Sequence, residues 1–255
     1  MVTQFIKDIR KSASNHSSNI VLALDPDYDN VIELEKQSIG IINKIGNKLA
    51  AIKINYHLII PLGIRDEVKR IVEEAHNFDL QVIADLKIND IASTNIIACK
   101  YLWKMGFDAV IANPIAGYTD GLGPLVEQAH KIGKGVILLV YMSHKGAEET
   151  YGLTIIDNLG QRRKLYEVFL ENSVKWGSDG VVVGATRPEI VEYSASQLNG
   201  RIPIFSPGVG AQGGSSVEAI RAGTEFIIIG RSIINSTDPV SATEKIRCEL
   251  MTKQT

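Results

Sequence analysis

Gln81-Val82-Ile83-Ala84-Asp85-Leu86-Lys87-Ile88-Asn89-Asp90 is a short apolar run that finishes in three charges. Its β-branched residues predict a strand over Gln81 to Lys87, and Ile91 to Met105 reads as the helix that follows. Alternation places Ile83, Asp85 and Lys87 on one face and Val82, Ala84 and Leu86 on the other. Opposite charges on one face of an apolar strand are costly to bury unless they are paired or used. Charge confined to the carboxyl end of a strand that runs straight into a helix belongs to the active-site end of an α/β barrel.

The same unit recurs on both sides of that stretch. Strands are predicted over Asn19 to Asp25, Ala50 to Asn55, Ala109 to Asn113, Val136 to Met142, Gly180 to Ala185, Ile202 to Ser206 and Phe226 to Gly230. Helical spacing fills the intervals, as in Val31, Leu34, Ile41, Ile42, Ile45 and Leu49, or Ile64, Val68, Ile71, Val72 and Ala75. Pro188 opens one helix at its favoured first turn, and a last helix starts after Asp238-Pro239. Glu148 to Gly160 reads as a longer loop. Eight strands alternating with helices predict a (β/α)8 TIM barrel, one domain over residues 1–255, with a doubly wound open sheet as the alternative.

With 255 residues, a net charge of −2 and 45% hydrophobic residues, the chain has room for one large core. It lacks the basic runs that nucleic acid or an anionic membrane would call for. Its apolar stretches fall short of the ~20 residues that span a bilayer. Met1 to Asn19 has no apolar signal core, so a cytoplasmic location is expected. Cys99 and Cys248 read as reduced packing residues within helices. His57, His76, His130 and His144 have no partners at ligand spacing and read as surface or packing residues, so no metal site is expected. There is no nucleophile elbow and no Cys-His pair.

Two constellations carry chemistry. The seventh strand runs into Pro207-Gly208-Val209-Gly210-Ala211-Gln212-Gly213-Gly214, and the eighth ends in Gly230-Arg231. Loops after these strands commonly hold phosphate in such barrels. Glycines let the main chain approach a ligand closely, and Arg231 adds a planar fork of donors. The bland alternative for the glycine run is a mobile connection. At the other side of the mouth stand Lys53, Asp85 and Lys87. Taken alone, Lys53 reads as an ion pair that fills the mouth. The full Asp85-x-Lys87-x-x-Asp90 set reads as functional, because neighbouring carboxylates favour the ammonium form of Lys87, a placed proton donor. Asp90 is open to two readings, a catalytic group or the N-cap of the next helix with Thr94 in its first turn. Asp25 is similarly either a turn residue before Pro26 or part of the site.

Taken in order, Ala23-Leu24-Asp25, Ile52-Lys53, Ala84 to Ile91 with Thr94, Met142-Ser143-His144-Lys145-Gly146-Ala147, Ala185-Thr186-Arg187-Pro188-Glu189, Ser206 to Gly214 and Gly230-Arg231-Ser232-Ile233 closely resemble the orotidine 5′-phosphate decarboxylase family in its single-domain microbial form. Asn89 and Ala92 depart from the common pattern, as does Ala112-Asn113 in place of His-Gly, and none of these is a charged position. The resemblance implies cofactor-independent loss of CO2 from orotidine 5′-monophosphate to give UMP. Lys87 would protonate the C6 carbanion, Asp85 would sit beside the departing carboxylate, and Lys53 and Asp25 would take ribose hydroxyls. Ser143 and Gln212 would meet the pyrimidine, and Gln212, Gly230 and Arg231 the phosphate, under a lid running from Pro207 to Gly214. The resemblance also implies a homodimer in which Asp90, with Ile91 and Thr94, enters the neighbouring subunit's site.

No cofactor motif is visible, so this reading stabilises the carbanion by protein charge and hydrogen bonds. Two rivals are weighed. A metal-dependent sugar-phosphate decarboxylase or aldolase of the same superfamily shares the Asp-x-Lys-x-x-Asp core but not Ile91-x-x-Thr94 with Ser143 and Gln212. A non-catalytic barrel that binds a phosphate ligand has no need of the charged array.

Overall fold

The structure, a computed structural model, describes residues 2–27, 30–157 and 159–251. Its core is a closed barrel of eight parallel strands, β1 (Ile20–Ala23), β2 (Ala51–Asn55), β3 (Gln81–Ile88), β4 (Ala109–Ala112), β5 (Gly135–Tyr141), β8 (Gly180–Val183), β9 (Ile204–Pro207) and β10 (Phe226–Ile229). Each lies beside the next of these, and β1 closes on β10 through Val21 opposite Ile228. The strands are buried on both faces, as parallel strands wrapped by helices are, which is why they read as near-continuous apolar runs.

Residue parity separates two packing layers. Ile20, Leu22, Ile52, Ile54, Val82, Ala84, Val110, Val136 and Leu138 face outward and pack beneath the helices. Val21, Ala23, Ala51, Ile83, Ala109, Ile111, Ile137 and Leu139 fill the barrel. By the same alternation Lys53 and Asp85 continue the inward rows of β2 and β3.

The outer ring consists of α2 (Val31–Ile45), α4 (Asp66–Asn77), α5 (Ala92–Lys104), α6 (Gly123–Lys131), α7 (Leu165–Lys175), α8 (Pro188–Leu198), α9 (Ser216–Arg221) and α11 (Pro239–Met251). Three helices lie outside the expected alternation. The first, α1 (Gln4–His16), buries Phe5, Ile6, Ile9 and Ala13 against the barrel interior and closes its floor. Its sequence is polar on average, so only its narrow apolar stripe shows the role. The short α3 (Tyr56–Leu62) follows β2 directly, and the four-residue α10 (Arg231–Ile234) follows β10. Ile64 therefore lies between α3 and α4, exposed, and not on the helix its spacing suggested.

Two further expectations are corrected. The stretch read as a loop, Glu148 to Gly160, contains β6 (Thr154–Ile156), which pairs antiparallel with β7 (Arg162–Lys164) just beyond it; Asn158 lies outside the described residues. Three-residue strands are too short for a period to register. Cys99 packs in the core as expected, whereas Cys248 is exposed on α11.

The floor also revises two histidines. Asp108, just ahead of β4, accepts the Val82 N–H at 2.8 Å and binds His76 Nε2 at 2.9 Å and Lys134 Nζ at 2.9 Å. Asp179, just ahead of β8, repeats the pattern with the Val136 N–H at 2.7 Å and His130 Nε2 at 3.0 Å, and accepts the Thr3 hydroxyl. Burial alone would raise the Asp108 carboxyl. His76, Lys134 and the Val82 amide outweigh it and hold the carboxyl below its ordinary value. The bond to Asp179 raises His130 against the opposing effect of burial. His76 and His130 are thus partners of a half-buried and a buried carboxylate, which sequence spacing could not reveal.

Candidate active site

A cavity of about 240 Å³ opens at the carboxyl end of the barrel, walled by Asp25, Lys53, Asp85, Lys87, Ser143 and Gln212, among others. At its base Asp85 offers one oxygen to each of two ammonium groups. Lys53 Nζ lies 2.8 Å from Oδ2 and Lys87 Nζ 2.8 Å from Oδ1. Lys53 and Asp85 are buried, at 6% and 9% side-chain exposure, while Lys87 is 28% exposed and faces the cavity. Burial would push the Asp85 carboxyl up. The charges of Lys53 and Lys87, together with their hydrogen bonds, outweigh it and hold the group as a carboxylate below its ordinary value. One anion between two cations leaves a net positive charge facing an incoming carboxylate or carbanion.

The backbone departs from regular strand at this point. Ala84 pairs with Val110 but Ile88 with Ala112, so β3 spends four residues where β4 spends two. Asp85, Leu86 and Lys87 have no register partner on β4, and Lys87 takes φ +45°. A left-handed lysine costs about 1 kcal/mol or more and persists where its surroundings hold it. Plain alternation placed Lys87 on the correct face but gave no sign of this bulge.

The opposite wall comes from the loops after β5, β9 and β10. Gly208, at φ +97°, lets two side chains converge, because a Cβ there would lie 2.6 Å from Ser143 Cβ and 2.9 Å from Gln212 Oε1. The glycine run is folded on itself. Gly210 N–H donates to the Gly214 carbonyl at 2.9 Å, Gly213 N–H to Gly210 at 2.8 Å and Gly214 N–H to Gly208 at 3.0 Å. The Thr186 hydroxyl donates to the Ser143 carbonyl at 2.9 Å and fixes the β5 loop against the turn after β8.

Gly230 lies against the Ala23 carbonyl, 3.0 Å from where its Cβ would stand, with Asp25 Oδ2 at 3.6 Å. Among the described residues the buried Asp25 Oδ1 has no hydrogen-bond partner. His57 Nε2 is 3.3 Å from that oxygen, too poorly aligned to bond it. Asp25 thus lines the cavity with one oxygen unsatisfied, and His57, a surface residue as expected, stands beside it. Arg231 is exposed at the rim, at the start of α10.

Of the expected site residues, Asp25, Lys53, Asp85, Lys87, Ser143, Pro207, Gln212, Gly230 and Arg231 line this one cavity. Asp90, Ile91 and Thr94 do not; all three are exposed on the rim. Asp90 is not the N-cap of α5, since that position is Ile91, whose N–H donates to Asp90 Oδ1 at 2.7 Å. The Asp90 main chain is instead held by the buried Asn95. Its Oδ1 accepts the Asp90 N–H at 3.1 Å, and its Nδ2 donates to the Asp90 carbonyl at 2.5 Å. Asn55 at the end of β2 also lines the cavity and caps α3. Neither Asn95 nor Asn55 had a sequence signal beyond its closeness to the charged motifs.

A profile of the "Orotidine 5'-phosphate decarboxylase / HUMPS family" matches residues 18–246. The chain belongs to that family. The orotidine 5′-phosphate decarboxylase of Methanococcoides burtonii is 35% identical over 234 residues, covering 92% of this chain and 97% of its own. That of Thermococcus kodakarensis is 37% identical with the same coverage. Among solved structures, the Pyrococcus horikoshii enzyme aligns with TM-score 0.72 at 33% identity, over 91% of this chain and 99% of its own. The Methanocaldococcus jannaschii orotidine 5′-monophosphate decarboxylase, solved with the inhibitor BMP, aligns with TM-score 0.74 at 26% identity, over 91% and 97%. The family's TIM barrel is the fold described above.

Proposed function

We propose that this family member is an orotidine 5′-phosphate decarboxylase, a carboxy-lyase of pyrimidine synthesis that converts orotidine 5′-monophosphate to UMP and CO2. The observation that carries the reading is Asp85 held between Lys53 and Lys87 at the base of a cavity whose far wall is a glycine loop and Arg231. As the C6 carboxylate leaves as CO2, its bonding electron pair stays on C6. Lys87 Nζ gives a proton to that carbon, and solvent later restores the proton to the amine. The fixed lysines offer positive charge where negative charge develops, with no reorganisation needed at the moment of reaction. Asp25 and Lys53 take ribose hydroxyls, Ser143 and Gln212 the pyrimidine. Pro207, Gln212, Gly230 and Arg231 enclose the phosphate, whose remote binding energy closes the glycine loop and is used at C6.

The functional unit is a homodimer, built from one cytoplasmic catalytic domain per subunit, with Asp90, Ile91 and Thr94 completing the partner's site. Tyr56, Ile60, Ile64, Ile91, Ile97 and Tyr101 support this, since these large apolar side chains stand exposed on the segments that follow β2 and β3. Large apolar side chains left in water in such number suit an interface between subunits. Among the described residues no helix is long and apolar enough to cross a membrane.

The test is the absorbance change of orotidine 5′-monophosphate on mixing with the protein and a chelator. Undiminished turnover is expected. No turnover overturns the substrate assignment, and turnover that the chelator abolishes moves the protein to the metal-dependent branch. Mixing Asp90→Ala with Lys87→Ala tests the shared site, because each hybrid dimer regains one intact site of two and the statistical mixture about a quarter of wild-type activity. No recovery in mixed dimers would remove Asp90 from the partner's site.

A further inference from the structure

We propose that Tyr56 is a positioning residue for Lys87, its hydroxyl pinning the peptide group that sets the direction of the lysine. The inference rests on the reading of Lys87 as the proton donor. Tyr56 is the first residue of α3, immediately after β2, and its N–H is capped by Asn55 Oδ1 at 2.5 Å. Its hydroxyl reaches across to β3 and donates to the Leu86 carbonyl. That carbonyl sits in the segment with no register partner on β4, in the peptide group that enters Lys87.

The carbonyl carbon of residue 86 is the first of the four atoms that define φ of residue 87. Holding the Leu86 carbonyl therefore holds the φ of +45° that Lys87 adopts. Lysine does not favour that region by itself, so something outside the strand must keep it there. Lys87 Nζ then meets Asp85 Oδ1 at 2.8 Å, while Lys53 occupies the other oxygen. Without the pin, the Leu86–Lys87 peptide rotates toward an ordinary strand and carries Nζ away from its place beside C6. The phenol is suited to the task. Burial and then the Asp85 charge raise its pKa, so it stays a protonated donor throughout the working pH range.

The experiment uses Tyr56→Phe in the full-length enzyme. The change keeps the ring and deletes one hydroxyl from a side chain that is 45% exposed, so the fold is not at risk. Three quantities are read: kcat and KM for orotidine 5′-monophosphate, affinity for UMP, and affinity for 6-hydroxyuridine 5′-monophosphate. The last carries an oxyanion at C6 and reports on the ammonium placed there. A misplaced catalytic group costs about 10- to 10²-fold, so kcat and the affinity for the C6 oxyanion are expected to fall together by that factor. KM and UMP affinity should stay within about 2-fold, since the remote contacts that supply uniform binding are untouched.

A Tyr56→Phe enzyme with wild-type kcat and oxyanion affinity overturns the proposal. So does one that loses UMP and oxyanion affinity equally, which would show a general loosening of the site. Lys87→Ala separates the role of the donor from the role of the residue that positions it. If it keeps turnover and oxyanion affinity, the donor assignment itself is wrong. If it loses both while Tyr56→Phe keeps them, only the role of Tyr56 falls.

Discussion

Asn95 holds Asp90 by both of its main-chain polar groups, accepting from the N–H at 3.1 Å and donating to the carbonyl at 2.5 Å. A buried amide side chain here does the work of a neighbouring strand, fixing the last charged residue of the motif at the head of α5. Asn95→Ala should lower stability by about 1–2 kcal/mol, the cost of two lost bonds whose Asp90 partners regain water. Urea denaturation reads that cost. Steady-state kinetics should show kcat falling more than KM rises, because Asp90 loses its aim and the ligand contacts remain.

Asp85 is the counter-charge of two lysines, one of them buried. Asp85→Asn should abolish turnover and lower stability by about 3 kcal/mol, since an uncompensated buried ammonium is left behind. The pH dependence follows from its lowered pKa and that of Asp108. A carboxyl depressed in the folded state contributes fully above the unfolded value of about 3.9, and the contribution disappears as pH falls through the folded value. Wild-type stability should therefore decline steeply below about pH 4, and Asp85→Asn should show a shallower decline in acid denaturation monitored by circular dichroism.

Gly208 is the point where the loops after β5 and β9 touch. Gly208→Ala adds a Cβ 2.6 Å from Ser143 Cβ at φ +97°. Strain and overpacking together should cost about 1–3 kcal/mol. Because the clash separates Ser143 from Gln212, nucleotide affinity measured by calorimetry should drop as well.

Arg231 stands exposed at the rim near the glycine loop. Arg231→Ala should raise KM about 30-fold, the equivalent of about 2 kcal/mol for a charge-assisted contact, and leave kcat at saturation largely intact. An unchanged affinity for UMP would remove this side chain from the phosphate site.

At the floor, His130 gains its proton affinity from Asp179. A group raised in the folded state contributes fully below its unfolded value of about 6.5, and the contribution is lost as pH rises through the folded value. Urea midpoints of the wild type should fall from pH 6 to pH 8 more than those of His130→Gln, with activity at neutral pH unaltered by the substitution.

The barrel and most of one cavity are legible in the pattern of residues along the chain. Alternation within each strand decides which side chains face inward, and a charge on that face has to be at the open end, so Lys53, Asp85 and Lys87 were legible before any coordinates. The turn glycines and Arg231 were legible for the same local reason. Tertiary structure decided what depends on neighbours distant in sequence. The floor helix was hidden by a polar average, the His76–Asp108 and His130–Asp179 pairs by gaps of 32 and 49 residues. The left-handed lysine and the Tyr56 bond to the Leu86 carbonyl arise where β3 slips against β4. No period in one chain segment encodes a slip, because it is a property of two strands in register and not of either alone.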